Sequence, residues 1–191
     1  METLKLEIEK YLQQGIDSEW KWFSSQLSVH TASKREIIFR QTDICDRVIY
    51  ILEGIAASEY NEEDKFIISR FFQSGNLCSN MISAVSKTFA SDNVIAITNV
   101  KYIAMPFDCF MDLYLYSDKL GIFLRKKILE HLIEAKNIIS IKTSSVTKVQ
   151  YSFLEENYPE IIAQTPSKYI AAFIGITPEA LSRFLKQRIS S

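Results

Sequence analysis

Four side chains near the C-terminal end sit at spacings that suit a polyanion: Glu179, Ser182, Arg183 and Lys186. They are three and four residues apart, so on a helix they share one face. A guanidinium fork, an ammonium and a hydroxyl donate to phosphate and base-edge oxygens, and a carboxylate accepts from an amino group. Covalent chemistry has no comparable support. The chain offers no nucleophile–base pair, no metal-ligand spacing and no glycine-rich phosphate loop, and it holds only five glycines. An enzyme is therefore not expected.

Two short helices must hold that face. Ser167 is placed to cap the first, with Ile170, Ala171 and Ile174 as its apolar side. Gly175 falls where that helix must stop and the chain must turn, a task that often needs positive φ. Thr177 then caps the second helix, with Pro178 at its first position, where a missing N–H costs nothing. Leu181, Phe184 and Leu185 form its inner side. The pattern suits a helix-turn-helix that reads DNA. It also suits two surface helices of an ordinary helical subdomain.

The chain as a whole has 191 residues, 47% hydrophobic and 24% charged, which is a globular balance. No apolar run approaches the roughly 18–20 residues of a membrane span. The N-terminal segment, Met1 to Lys10, has no signal-peptide core. Cys45, Cys78 and Cys109 are far apart and odd in number, which suits a reducing cytoplasm and gives no metal site. A net charge of −1 hides an asymmetry. Residues 1–118 hold 11 Lys/Arg against 17 Asp/Glu, whereas residues 119–191 hold 11 against 6. The basic part contains the candidate reader, as contact with phosphates favours.

In chain order, residues 2–14 and about 17–26 read as helices, the second capped by Asp17 or Ser18. From Ser28 to Pro106 short β-rich runs take over: Ile37–Phe39, Val48–Leu52, Ile55–Tyr60, Phe66–Phe72, Val94–Thr98 and Lys101–Met105. A polar turn at 61–64 and glycine turns separate them, which predicts a small antiparallel barrel or roll. Leu77 to Val85 interrupts the strands with a short helix. Asp108 to Tyr116 is a helix, and Ser117-Asp118 caps a long one to about Ile141. Its stripe is Leu120, Leu124, Ile128, Leu132, Ala135 and Ile139. A helix of about 24 residues spans roughly 36 Å. One that long with a narrow stripe pairs with another helix, in a dimer partner or in its own chain. The polar stretch 143–149 is the expected boundary, and a further helix follows at about 147–157.

A β-rich region, a long helix and a C-terminal helix pair, in that order, resemble the Crp/Fnr family of bacterial transcription regulators. Asp46-Arg-Val-Ile-Tyr-Ile-Leu-Glu-Gly54-Ile-Ala-Ala-Ser58 resembles the family's strand–turn–strand. Phe153 to Ile161 and Pro166 to Arg183 resemble the DNA-binding half of a Bacteroidetes-type branch. The resemblance implies an α+β chain in three parts. Residues 1–116 form a cyclic-nucleotide-binding-like antiparallel β-roll with N-terminal helices. Residues 117–142 form a dimerisation helix, and 143–191 a helix-turn-helix domain with a short or absent wing. It implies a cytoplasmic homodimer on double-stranded DNA, with RNA polymerase as a further partner and no resident cofactor.

By position, the resemblance assigns base reading to Pro178, Glu179 and Arg183, and phosphate contacts to Ser167, Thr177, Ser182 and Lys186. Pro178 stands where well-known members carry Arg and can meet a thymine methyl. Glu179 can accept from cytosine N4 and Arg183 can fork onto guanine O6 and N7. The effector pocket falls at Gly75, Asn76, Leu77, Cys78, Ser91 and Asp92. Relatives that hold cyclic AMP carry Gly-Glu and Arg-Ser or Arg-Thr there. This chain reads Gly75-Asn76-Leu77 and Phe89-Ala-Ser-Asp-Asn-Val94, with neither the Glu nor the Arg. Asp92 would repel a phosphate, so cyclic AMP is not expected and the effector stays unnamed. Cys78 has no histidine beside it in the sequence, which argues against haem. The alternative is a ligand- or partner-binding roll whose helix pair no longer binds DNA.

Overall fold

Alternating apolar residues bounded by glycine and asparagine turns build two four-stranded antiparallel sheets in this computed structural model, which describes residues 1–63, 65–144 and 146–189. The first sheet has the order β1 (Ser28–Ala32), β8 (Val100–Pro106), β3 (Arg47–Glu53), β6 (Leu77–Cys78). The second has the order β2 (Ile37–Phe39), β7 (Asn93–Ala96), β4 (Ala56–Glu62), β5 (Lys65–Phe72). The expected polar turn at 61–64 and boundary at 143–149 include Asp64 and Ser145, which lie outside the described residues, as do Ser190 and Ser191, where the wing was expected to be short or absent.

Gly54 makes the step from β3 to β4, and so from one sheet to the other. It has φ +88, and a Cβ there would stand 2.1 Å from Asn99 O. The Ile55 N–H donates to Thr98 Oγ1 at 2.9 Å, locking the same turn. A register shift opposite Ser58 and Glu59 leaves Ser69 as the extra residue of β5. Such a bulge re-aims its neighbours. Here it puts Ile68 and Phe71 in one core cluster while Phe72 joins the other.

Helices cover both sheets. α1 (Glu2–Leu12) and α2 (Asp17–Ser25) set Leu4, Ile8 and Phe23 against Val48, Ile103 and Met105. α3 (Met81–Ser86) is capped by Asn80, whose side chain accepts from Ser83 N. α4 (Phe107–Tyr116) leads into the 24-residue α5 (Lys119–Lys142). The C-terminal region is α6 (Thr147–Asn157), α7 (Pro159–Gln164), α8 (Ser167–Ile174) and α9 (Pro178–Ile189). α7 was not expected; Pro159 at its first turn starts it.

Packing crosses the expected boundaries. One apolar cluster joins α1, α2, both sheets, α4 and the first half of α5. The other joins Ile55, Ala57, Ile68, Phe71, Ile95 and Ile97 of the roll to Ile138 of α5 and to α6–α9. Phe71 meets Phe173 at 5.4 Å between ring centroids, and Phe66 meets Tyr169 at 5.9 Å. Lys142 Nζ donates to Ile68 O at 2.7 Å across the same seam.

Three caps and part of one stripe need correction. Ser167 is the first residue of α8 and Pro166 its cap. Asp17 and Ser18 lie inside α2, capped by Ile16. Asp118 stands at the N-cap of α5 but makes no side-chain cap bond. Leu120 and Leu124, expected on a dimer face, are 2% and 4% exposed inside their own chain. Ile128 packs half-buried on the same core and Ala135 is half-buried, whereas Leu132 and Ile139 are exposed. The reason is period: a straight helix covering a sheet buries its own inward stripe, and any partner must use the next one.

Candidate nucleic-acid interface and effector cavity

α8 and α9 are joined by three residues, Gly175, Ile176 and Thr177. Gly175 is left-handed at φ 82, and its N–H and that of Ile176 both donate to Ala171 O, at 2.9 and 3.0 Å. That arrangement closes the C-terminus of α8. Thr177 Oγ1 accepts from Ala180 N at 3.2 Å and caps α9. Leu181, 1% exposed, anchors α9 inward with Phe184 and Leu185 beside it. Arg188 reaches Glu155 of α6 at 2.8 Å and lies over Tyr151 and Phe184.

This anchoring leaves the other face outward. Thr177, Pro178, Glu179, Ser182, Arg183 and Lys186 are exposed, and so is Ser167 at the start of α8. The Glu179 carboxyl is held below its usual range by its own backbone N–H, by Thr177 and by the nearby Arg183. It is ionised at neutral pH and accepts only. Arg183 therefore has one anionic neighbour on its own helix.

The residues expected around an effector divide. Gly75 and Asn76 form the turn between β5 and β6. The Gly75 N–H donates to Ile51 O, Ile51 N donates to Asn76 O, and Asn76 Oδ1 accepts from Gln73 N. Lys127 of α5, 9% exposed, donates to Gly75 O at 3.0 Å and pairs with Glu7 at 2.6 Å. Asp92 accepts from Asn80 Nδ2 at 2.6 Å and from Ser91 Oγ at 3.0 Å. These four expected pocket residues, Gly75, Asn76, Ser91 and Asp92, are tied into turns and line no part of the cavity described next.

Leu77 and Cys78 do line a cavity, of about 320 Å³, between β3, β6, α4 and α5. Met81, Phe110, Met111 and Tyr114 form one wall, and Ile128, His131 and Leu132 of α5 another. Histidine and cysteine far apart in sequence thus share one cavity, which the sequence reading did not find. Burial pushes the Cys78 thiol up, so it stays protonated. Among the described residues no group of three or more His, Cys, Asp or Glu is arranged for a metal ion.

Behind His131 lies a buried polar chain. Arg70 of β5 has a guanidinium nitrogen 2.8 Å from the His131 ring nitrogens, and it pairs with Glu134. Glu134 Oε1 accepts from the Tyr158 hydroxyl at 2.8 Å, between α6 and α7. Burial first and then Arg70 push the His131 imidazole down to about 4, so it is neutral at pH 7. The Tyr158 phenol is pushed up by burial and by donating to Glu134. The chain runs from the roll through α5 to the C-terminal helices, and no spacing in the sequence announces it.

Residues 29–117 match the family described as Cyclic nucleotide-binding domain. No curated protein matches the chain. Solved structures similar to it over most of its length include the following three. The c-di-GMP responsive global regulator CLP of Xanthomonas campestris is 16% identical with a TM-score of 0.70, covering 92% of this chain and 92% of that one. FixK2 of Bradyrhizobium japonicum is 14% identical with a TM-score of 0.68, covering 86% and 85%. A protein of Eubacterium rectale described as a Crp/Fnr-family transcriptional regulator is 16% identical with a TM-score of 0.66, covering 90% and 82%. At these identities the likeness is one of fold: an antiparallel cyclic-nucleotide-binding domain followed by helices. No described helix is long and apolar enough to cross a membrane.

Proposed function

We propose that the protein is a DNA-binding transcriptional regulator of the Crp/Fnr type, acting as a homodimer on a two-fold operator. The observation that carries this reading is the outward face of α9, where Pro178, Glu179 and Arg183 stand together at the capped N-terminal end of a helix that Leu181 anchors. Recognition helices present their N-terminal residues to base edges in the major groove. Arg183 forks onto guanine and Glu179 accepts from cytosine, while Ser167, Thr177, Ser182 and Lys186 contact phosphates. A carboxylate on a surface meant only for phosphates would repel them, so Glu179 favours sequence reading over general attraction.

The roll serves as the sensing part, and cyclic AMP does not fit it by the usual chemistry. The buried cations beside it, Arg70 and Lys127, are both held by carboxylates. Asp92 adds negative charge where a phosphate would sit.

Fluorescence anisotropy with the protein's own upstream DNA and a random duplex tests the reading. Arg183→Ala weakens the specific duplex by about 1–3 kcal/mol and leaves the random one nearly unchanged. Lys186→Ala weakens both alike and lowers the salt slope by about one. Equal losses on both duplexes for Arg183→Ala would mean that Arg183 reads no base. Failure of the unmodified protein to bind any duplex would favour a roll whose helix pair has lost DNA.

A further inference from the structure

We propose that the cavity between β3, β6, α4 and α5 seats a small, neutral, predominantly apolar molecule. Its volume of about 320 Å³ lies at the lower end for small-molecule sites. Methionines 81 and 111 face it from two helices, and thioethers adapt to irregular apolar shapes.

Most polar groups on the wall are engaged or buried, and the Tyr114 hydroxyl leaves room for one neutral polar contact. Ser79 Oγ donates to Arg47 O at 3.1 Å and touches Cys45 Sγ at 3.4 Å. The His131 ring lies against Arg70, and Arg70 is neutralised by Glu134. The Cys78 thiol is 1% exposed. An ion entering this space would give up hydration and meet no unpaired opposite charge, since Arg70 and Glu134 are paired with each other, which is costly. An uncharged apolar molecule meets no such cost and fills a space that otherwise lacks contacts.

The position gives the site a consequence. Any occupant rests on His131 and Leu132 of α5. Behind His131 stand Arg70, Glu134 and Tyr158, so the occupant is one side chain away from the contacts that tie the roll to the C-terminal helices. Occupancy shifts the seating of those helices. This second part rests on reading α9 as the DNA-binding helix; the binding itself does not.

The test is a fluorescence titration of the full chain with N-phenyl-1-naphthylamine, a neutral apolar dye, repeated with 8-anilinonaphthalene-1-sulfonate, its charged analogue. The neutral dye binds saturably, once per protomer, and at least about tenfold more tightly than the sulfonate. Met111→Trp fills the space from α4, and Met81→Trp fills it from α3, a half-buried position away from the α5 seam. Each weakens the neutral dye at least about tenfold with thermal unfolding unchanged, whereas Leu115→Trp, exposed on α4 and outside the cavity, has no effect. Absence of saturable binding, survival of binding in both filled variants, or equal affinity for the sulfonate would overturn the site. Anisotropy with DNA separates the two parts. A change in DNA affinity on adding the neutral dye that disappears in Met111→Trp supports the coupling. Unaltered affinity in a protein that does bind DNA overturns the coupling alone, and a protein that binds no DNA overturns the DNA reading instead.

Discussion

His131 stands between the cavity and the buried polar chain behind it. It faces the cavity on one side and Arg70 of β5 on the other, with Glu134 on its own helix and Tyr158 beyond. Its imidazole is held near 4 against an ordinary 6.5. Below pH 6.5 the unfolded chain takes up a proton that the folded chain declines. Stability therefore falls as the pH drops from about 6.5 to about 4, and this loss stops below the folded value. Urea melts across that window should show a shallower decline for His131→Gln than for the unmodified protein; parallel curves would mean that His131 titrates normally. Gly54 is a second decisive position. A methyl group there meets Asn99 O at 2.1 Å on top of a left-handed backbone. At Gly175 the backbone is equally left-handed but nothing lies within 4 Å. Gly54→Ala should then cost about 3 kcal/mol, combining overpacking with backbone strain, and Gly175→Ala only about 1–2. Denaturant midpoints order the two, and a reversed order would contradict the close approach. Thr177 and Gly175 were readable in the sequence because caps and turns are local chemistry. Arg70 and His131 were not, because they meet across 61 positions through a bulge that leaves no compositional trace.

At the scale of elements, α5 carries two apolar stripes. The inward one, with Leu120, Phe123 and Leu124, closes the core. The outward one runs Ile122, Leu129, Leu132 and Ile139, with Ile133 beside it, all 46–64% exposed. Steps of seven, three and seven are those of a coiled-coil seam. A periodic sequence reveals that such a helix is amphipathic, but it does not say which stripe its own sheet will claim. That is why the stripe expected from spacing mixed residues from both. The proposed dimer uses the outward seam, and Leu129→Glu places a charge in its middle without touching the cavity. Analytical ultracentrifugation should find the dimer dissociation constant raised at least about 100-fold, with the fold intact by circular dichroism. An unchanged dimer would move the interface elsewhere.

For the molecule as a whole, the roll and the C-terminal helices share one packed body. The sheet β2-β7-β4-β5 lends its outer residues to the core of α6–α9, and Lys142 of α5 bridges the two. The order of roll, long helix and helix pair was legible because each has its own period. The docking of α8 on β5 was not, since Phe66 and Phe71 look like ordinary strand residues until Tyr169 and Phe173 pack on them. In the proposed dimer, a helix pair seated this way, with α9 facing out, would have its mate two-fold related across the α5 seam. Selection of duplexes from a random library by the purified protein tests this most directly. The account predicts an inverted repeat with half-sites about 10–10.5 base pairs apart, or a multiple of that. It also predicts a guanine position in each half that loses its preference in Arg183→Ala. Enrichment of no sequence, or of a single asymmetric half, would contradict a dimer that reads DNA through α9.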